Sequence, residues 1–343
     1  MQSSLEPPNS SVGKAIILIY KAQKILISLH RNPDGDSVGS CLAMYEYLTS
    51  LGKKITFISP SKISDNFDFL PNIKKVKIVD FLNLKDEKFD LFICLDAGGL
   101  YQLVDNQQLP EYCEKIWPII NIDHHKTNKN YGAVNIVDEK SSSTSELLYD
   151  LLQRWGIEID KALALPLLTG IVSDTGGFRY SNTRQKTLET ASILMSCGVD
   201  LYTIMFNIFR RNDLKALNYW GLVLNKLTIN KKDKYVSVAL SYKDEDRENL
   251  EVSESYREQA ASHFLAVVEG TDFGYILEEE KKGLIRGSLR ARTDFDVSQI
   301  AVALGGGGHA GSSGFTIKNM SLEEAQKKVE EVIGQIREDK NKS

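Results

Sequence analysis

Ile25-Leu26-Ile27-Ser28-Leu29-His30-Arg31-Asn32-Pro33-Asp34-Gly35-Asp36 sets the architecture of this chain. A short apolar run delivers a histidine and two acids. The run that follows, Ser37-Val38-Gly39-Ser40-Cys41-Leu42-Ala43-Met44-Tyr45, reads as a helix. The polar cluster therefore sits where a buried strand turns into a helix, the usual place for a site in open α/β sheets. Gly35 lets the backbone turn tightly while Asp34 and Asp36 face one crevice. Hard cations take such oxygen ligands, and a borderline-soft cation accepts the imidazole beside them.

The arrangement recurs downstream. Residues 89–95 form an apolar strand ending in Asp96-Ala97-Gly98-Gly99, and residues 116–122 form another ending in Asp123-His124-His125. Residues 161–172 are nearly all apolar and read as a buried helix, bent near Pro166, that delivers Ser173-Asp174. Around these lie a helix over 12–22, a strand over 24–30, a helix from 36 to about 50 that stops at Gly52, and a strand over 55–58. A helix over 141–155 carries the capping-box pattern Ser143-x-x-Glu146, and another covers 183–195. Strands alternating with helices imply a largely parallel sheet with covered faces.

The composition shifts near residue 199. Residues 199–228 look helical and form a candidate linker between a domain at 1–198 and a second at 229–343. The second domain opens on an alternating strand, 235–240, and continues with a helix over 254–268. A hairpin of 273–278 and 284–290 follows across a polar turn at 279–283, then a short helix over 297–304 and a strand at 315–317. Ser321-x-x-Glu324 opens a terminal amphipathic helix. Between them, Gly305-Gly306-Gly307-Gly308 has no evident packing value, and its backbone N–H groups are able to turn toward an anion. His309 follows directly, and Arg290 ends the strand Gly287-Ser288-Leu289-Arg290. The fold class is α/β: a parallel-sheet domain, then a smaller mixed α/β domain, with the active site expected in the cleft between them.

A length of 343 residues fits two domains, and 42% hydrophobic with 26% charged residues is ordinary for a soluble globular protein. A formal charge of −4 argues against stable binding of long nucleic acid but leaves room for a short anionic substrate. Cys41, Cys94, Cys113 and Cys197 are scattered without metal-like pairing, as in a cytoplasmic protein with reduced thiols. No basic region precedes an apolar core at the start, and no apolar run is long enough to span a bilayer, so neither a signal peptide nor a membrane is expected.

His30, Asp34, Asp36, Asp96, His124 and Asp174 exceed what one tetrahedral ion needs. Two ions sharing a carboxylate use them better; such pairs lie about 3.5–4 Å apart and suit in-line displacement at phosphorus. Mixed imidazole and carboxylate ligation points to Mn2+, with Mg2+, Co2+ and Zn2+ as other fits.

The pattern His30-x-Asn32-Pro33-Asp34-x-Asp36, Asp96, Asp123-His124-His125 and Asp174 resembles the DHH phosphoesterase superfamily. The likeness is to its short two-domain members, which act as oligoribonucleases on nanoRNA and as 3′-phosphoadenosine 5′-phosphate phosphatases. The Gly-rich segment around His309 resembles the associated second domain, DHHA1. The resemblance implies one ion on His30, Asp34 and Asp96, and another on Asp36, Asp96, His124 and Asp174, with Asp96 bridging. It implies that Asp123 orients a histidine and that His125 faces the scissile phosphate as donor or acid. Asn32 holds the turn or touches substrate. Arg290, Gly306, Gly307, Gly308 and His309 are assigned to the substrate's phosphate or terminal nucleotide. Two positions depart from the family habit: Ser312-Ser313 stands where Ala-Ala is common, and Ala291 follows the arginine where Ser is common.

The resemblance implies stepwise release of mononucleotides from RNA of two to five residues, with phosphate release from 3′-phosphoadenosine 5′-phosphate as a companion activity. Hydrolysis of cyclic or linear dinucleotides is the rival, and a non-catalytic nucleotide sensor is the alternative of another class. Membrane-bound relatives specialised for cyclic dinucleotides carry spanning and sensory parts that this sequence lacks. The manganese pyrophosphatases carry a basic Ser-Arg-Lys signature that is also lacking, and the single-strand DNA exonucleases are larger. The resemblance further suggests a homodimer.

Overall fold

The computed structural model describes residues 7–105, 109, 113–243, 254–308 and 310–342. The chain divides into two compact units, Met1–Arg211 and Asn212–Ser343. The division falls inside the stretch read as a linker. That stretch holds two separate helices, Leu201–Phe209 in the first unit and Leu214–Asn225 in the second, N-capped by Asp200 and Asp213.

In the first unit, strands β1 (Lys24–Ser28), β2 (Lys54–Ser59), β3 (Lys77–Ile78), β4 (Leu91–Leu95), β5 (Ile119–Asp123) and β6 (Val134–Val137) form a sheet of order β3-β2-β1-β4-β5-β6. Every pairing is parallel. Alternate residues of one strand enter different cores: Ile25 and Ile27 pack on one face, Leu26 on the other. Ile93 and Leu95 likewise oppose Phe92 and Cys94. Both faces are thus apolar, which is why these strands read as continuous apolar runs. β3 and β6 escaped the sequence reading because β3 is two exposed residues and β6 buries only every second one.

The chain proceeds outward from β1 through β2 to β3, then returns to lay β4 on the other side of β1. The β1/β4 boundary is therefore the topological switch point, where a crevice opens beyond the strands' carboxyl ends.

The helices of this unit are α1 (Ser11–Lys21), α2 (Gly35–Ser50), α3 (Thr144–Arg154), α4 (Lys161–Asp174), α5 (Gln185–Ser196) and α6 (Leu201–Phe209). Gly52 closes α2 with φ 70, and the Lys53 N–H reaches back to the Leu48 carbonyl at 3.1 Å. The cap of α3 differs by one residue from the expected box. Ser143 Oγ accepts from the Glu146 N–H at 3.0 Å, but the Glu146 carboxylate takes the Ser142 N–H. α4 runs through Pro166 as one helix.

The second unit is a mixed sheet of order β11-β12-β10-β9-β8-β7, from β7 (Thr228–Asn230), β8 (Tyr235–Leu240), β9 (Phe273–Lys281), β10 (Leu284–Ala291), β11 (Gly307–Gly308) and β12 (Ser312–Lys318). Only β8 and β9 pair in parallel. The β9–β10 turn is tighter than the expected 279–283, because Glu278 and Glu279 are buried strand residues. Arg257 Nε lies 2.8 Å from the Glu278 carboxylate, and Tyr219 Oη donates to it at 3.2 Å. The helix Glu254–Ala260 widens into a π-helical turn, Ala261–Leu265. Ser321 and Glu324 complete a reciprocal capping box on the terminal helix Leu322–Lys342. Among the described residues, no single helix is long and apolar enough to cross a membrane.

Candidate metal centre

Every proposed ligand lies at the edge of the first sheet where its strands end. His30 follows β1. Asp34 is the N-cap of α2, accepting from the Asp36 and Ser37 N–H groups at 3.0 Å each. Asp36 lies in the first turn of α2, 1% exposed. Asp96 follows β4 directly, Asp123 ends β5, and His124 and His125 come next. Asp174 is the last residue of α4.

These side chains converge. His30 Nε2 lies 3.6 Å from Asp34 Oδ1 and 3.6 Å from Asp96 Oδ2. His124 Nε2 lies 3.8 Å from Asp96 Oδ1 and 3.5 Å from Asp174 Oδ2. Three groups of ligand atoms each fall within 4.8 Å of one another: His30, Asp34 and Asp96; Asp36, His124 and Asp174; and Asp96, His124 and His125. Asp96 Oδ2 thus lies beside His30 and Oδ1 beside His124. His125 Nδ1 comes within 3.6 Å of Asp96 Oδ1 but is engaged by Asp123 Oδ1 at 2.7 Å.

The donor set fits divalent cations. Burial, then the charges of Asp96 and Asp174, push the Asp36 carboxyl well above its ordinary range. Burial, then Asp34 and Asp96, do the same to Asp174. Asp174 also sits at the carboxyl end of α4, where the helix dipole opposes a negative charge. The crowding disfavours the charged forms of Asp36 and Asp174, and a cation among them would favour those forms. His125 shows the opposite balance. Burial opposes its charge, but the hydrogen bond to Asp123 and the charges of Asp96 and Asp123 prevail and raise it to about 10.

Supporting residues appear that the sequence reading missed. Asn128 Nδ2 donates to Asp123 Oδ2 at 2.5 Å, opposite the oxygen that holds His125. Asn182 Nδ2 donates to the Ser142 and Asp174 carbonyls. Thr144 and Ser145, at the start of α3, donate to Asp36, and the Thr144 hydroxyl donates to Asp96. All are polar residues close in sequence to a proposed ligand or on the helix facing it. Their role follows only from packing.

Asn32 takes φ 53, and its N–H donates to Ser61 Oγ at 2.7 Å. In the second unit, Arg290 is half-buried and donates from Nε to Ser262 Oγ at 3.2 Å. Gly306, Gly307 and Gly308 are exposed. Gly306 and Gly308 do have packing value, contrary to expectation, whereas a Cβ on Gly305 or Gly307 would meet nothing within 4 Å: one on Gly306 would meet the Gly314 carbonyl oxygen at 2.2 Å, and one on Gly308 would meet Ser313 Cα at 2.6 Å. Gly307 and Gly308 pair as β11 with β12. His309 lies outside the described residues. Elsewhere in this unit, Arg286 pairs with Glu280 at 2.9 Å, Arg292 donates to the Thr271 carbonyl, and His263 packs on Trp220.

Residues 24–171 match the DHH family, N-terminal domain, and residues 256–335 match the DHHA1 domain. The chain belongs to the DHH family of phosphoesterases, in its DHH–DHHA1 form. Among particular relatives, it is 30% identical to the bifunctional oligoribonuclease and PAP phosphatase NrnA of Thermus thermophilus, over 90% of this chain and 89% of that one. It is 25% identical to the cyclic-di-AMP phosphodiesterase PdeA of Listeria monocytogenes over 91% of this chain, which spans only 47% of that protein. The crystal structure of an exopolyphosphatase-related protein from Bacteroides fragilis superposes with a TM-score of 0.86 at 27% identity, covering 95% of this chain and 96% of that one.

Proposed function

We propose that this chain is a cytoplasmic, Mn2+-dependent phosphoesterase that degrades oligoribonucleotides of two to five residues to mononucleotides and removes phosphate from 3′-phosphoadenosine 5′-phosphate. The observation that carries the reading is Asp96, whose two oxygens lie 3.6 Å from His30 and 3.8 Å from His124 and so link two ligand groups. His30, Asp34 and Asp96 would hold one divalent ion, and Asp36, Asp96, His124 and Asp174 the other. When bound, such a pair supplies a nucleophile at neutral pH and offsets charge at phosphorus.

The chain's own residues do the rest. Asp123 holds the His125 ring through Nδ1, and on this reading Nε2 would face the substrate. As an imidazolium, His125 stabilises a phosphoryl oxygen or passes a proton to the leaving oxygen. Water oxygen would bond to phosphorus and release a proton to solvent, the bond from phosphorus to the leaving oxygen would break, and that oxygen would take up the His125 proton, which solvent then replaces. Arg290 in the second unit, with Gly306, Gly307, Gly308 and His309, is assigned to a terminal phosphate.

The Listeria relative's name keeps a second reading open, the hydrolysis of cyclic dinucleotides. One panel tests both: pApA, pGpG, 3′-phosphoadenosine 5′-phosphate, cyclic di-AMP and pyrophosphate, each with Mn2+ and with excess chelator. Preferred turnover of pApA or pGpG supports the first reading. Preferred turnover of cyclic di-AMP replaces it, and the absence of any metal-dependent turnover leaves a nucleotide-binding protein.

A further inference from the structure

Thr144 opens α3 and touches two of the assigned ligands at once. Its backbone N–H donates to Asp36 Oδ2 at 2.6 Å, and the next N–H, from Ser145, donates to Asp36 Oδ1 at 2.9 Å. Its hydroxyl donates to Asp96 Oδ1 at 3.0 Å. Thr144 and Ser145 are fully buried, and Asp36 and Asp96 are each 1% exposed, so water does not compete for these bonds. One helix end thus aligns a carboxylate from the start of α2 with a carboxylate from the end of β4.

We propose that Thr144 is a positioning residue that sets the bridging orientation of Asp96. With Asp96 Oδ2 beside His30 and Oδ1 beside His124, a bridge through both oxygens would offer one to each ion, and that would fix the plane of the group. Rotation about the last side-chain bond of Asp is soft, and so left alone the plane is not defined. The Thr144 hydroxyl fills one lone pair of Oδ1 and leaves the other for an ion. Thr is stiff at its first side-chain torsion, so the donor itself is well placed. Outer partners of this kind orient a ligand and raise its affinity for metal.

The consequence is unequal. Asp96 Oδ1 faces His124, whereas Oδ2 faces His30. Loss of the hydroxyl therefore weakens the ion held with Asp36, His124 and Asp174 and spares the ion held with His30 and Asp34. This inference rests on the two-ion reading above, and the test separates the two.

Mn2+ binding to the wild type, Thr144→Val, Thr144→Ala and Thr144→Ser is measured by calorimetry, with free Mn2+ followed by electron paramagnetic resonance. Melting of each metal-free protein checks that it folds. The expected result is two equivalents in the wild type and one site weakened about 10–100-fold in Thr144→Val and Thr144→Ala. The other site stays within about threefold, and Thr144→Ser restores both. A single equivalent in the wild type overturns the two-ion reading and this inference with it. Two equivalents in the wild type, with both sites weakened alike or neither weakened in the folded variants, overturn this inference alone.

Discussion

Asp96 holds its backbone in the left-handed region at φ 57, as do Asn32 at φ 53 and Phe178 at φ 67. All three lie in the loops that present the site. Asn and Asp tolerate that conformation through their short polar side chains, whereas a bulky residue such as Phe pays for it, and such positions gather at functional sites. Asp96→Asn keeps the tolerated backbone while removing the charge that, on the two-ion proposal, both ions would share. Its activity is expected to fall by more than about 100-fold, beyond the usual loss from an outer partner, with Mn2+ stoichiometry reduced in the same titration. Full metal-dependent activity in Asp96→Asn would refute the assignment. His125 carries a pH prediction. Its group in the folded, metal-free chain sits at about 10, against 6.5 for a free histidine. The folded state then binds more protons than the unfolded one between those values, so the stability it contributes is full below 6.5 and lost as pH rises to about 10. Asp36 and Asp174, also raised, act in the same direction from the ordinary carboxylate range upward. In excess chelator the melting temperature should fall between these pH values, and less steeply in His125→Asn. Identical slopes would show that His125 is not the group responsible.

At the scale of elements, the crossing of α2 and α4 brings the acids together. A Cβ on Gly39 would lie 2.4 Å from the Pro166 carbonyl oxygen and 2.8 Å from the Gly170 nitrogen. One on Gly170 would lie 1.9 Å from Ser145 Oγ and 2.7 Å from Asp36 Oδ1, and one on Gly35 would strike Ser173. The helices approach this closely because glycines face each other, and the approach sets Asp36 opposite Asp174. Gly170→Ala is expected to cost about 1–3 kcal/mol in urea unfolding, the usual range for overpacking, and to lower Mn2+ affinity by displacing Asp36. Wild-type unfolding and binding in that variant would show that the crossing has room to yield. None of this was visible in the sequence, where Gly39 and Gly170 are single glycines inside helical runs. The four polar clusters were legible for the opposite reason: each directly follows an apolar run, a strand for three of them and the helix α4 for the fourth, and the point where such a run stops is a local feature of the sequence.

For the whole molecule, the proposal divides the labour. The chemistry falls to carboxylates and histidines of the first unit and the grip on a terminal phosphate to Arg290 and its neighbours in the second. On that proposal the grip would hold the end of the substrate far from the attacked phosphate, so that the gap between the two would act as a ruler favouring short substrates. Cleavage of a dinucleotide and a pentanucleotide is expected to exceed that of a chain of two dozen nucleotides by more than about tenfold, comparing kcat/KM, which is at least about 1.4 kcal/mol of transition-state binding. Equal values on all three would remove the role given to the second unit. The sequence by itself determined the class of fold and pointed to the candidate ligands, because apolar runs and the residues that end them are local features. It also located Arg290, at the end of a strand that the structure places in β10. Only the tertiary structure decided the strand order that puts β1 beside β4, the meeting of Gly39 with Gly170, and the Thr144 hydroxyl on Asp96. Those depend on contacts between residues dozens of positions apart, and no periodicity or spacing in a single sequence encodes which distant groups will touch.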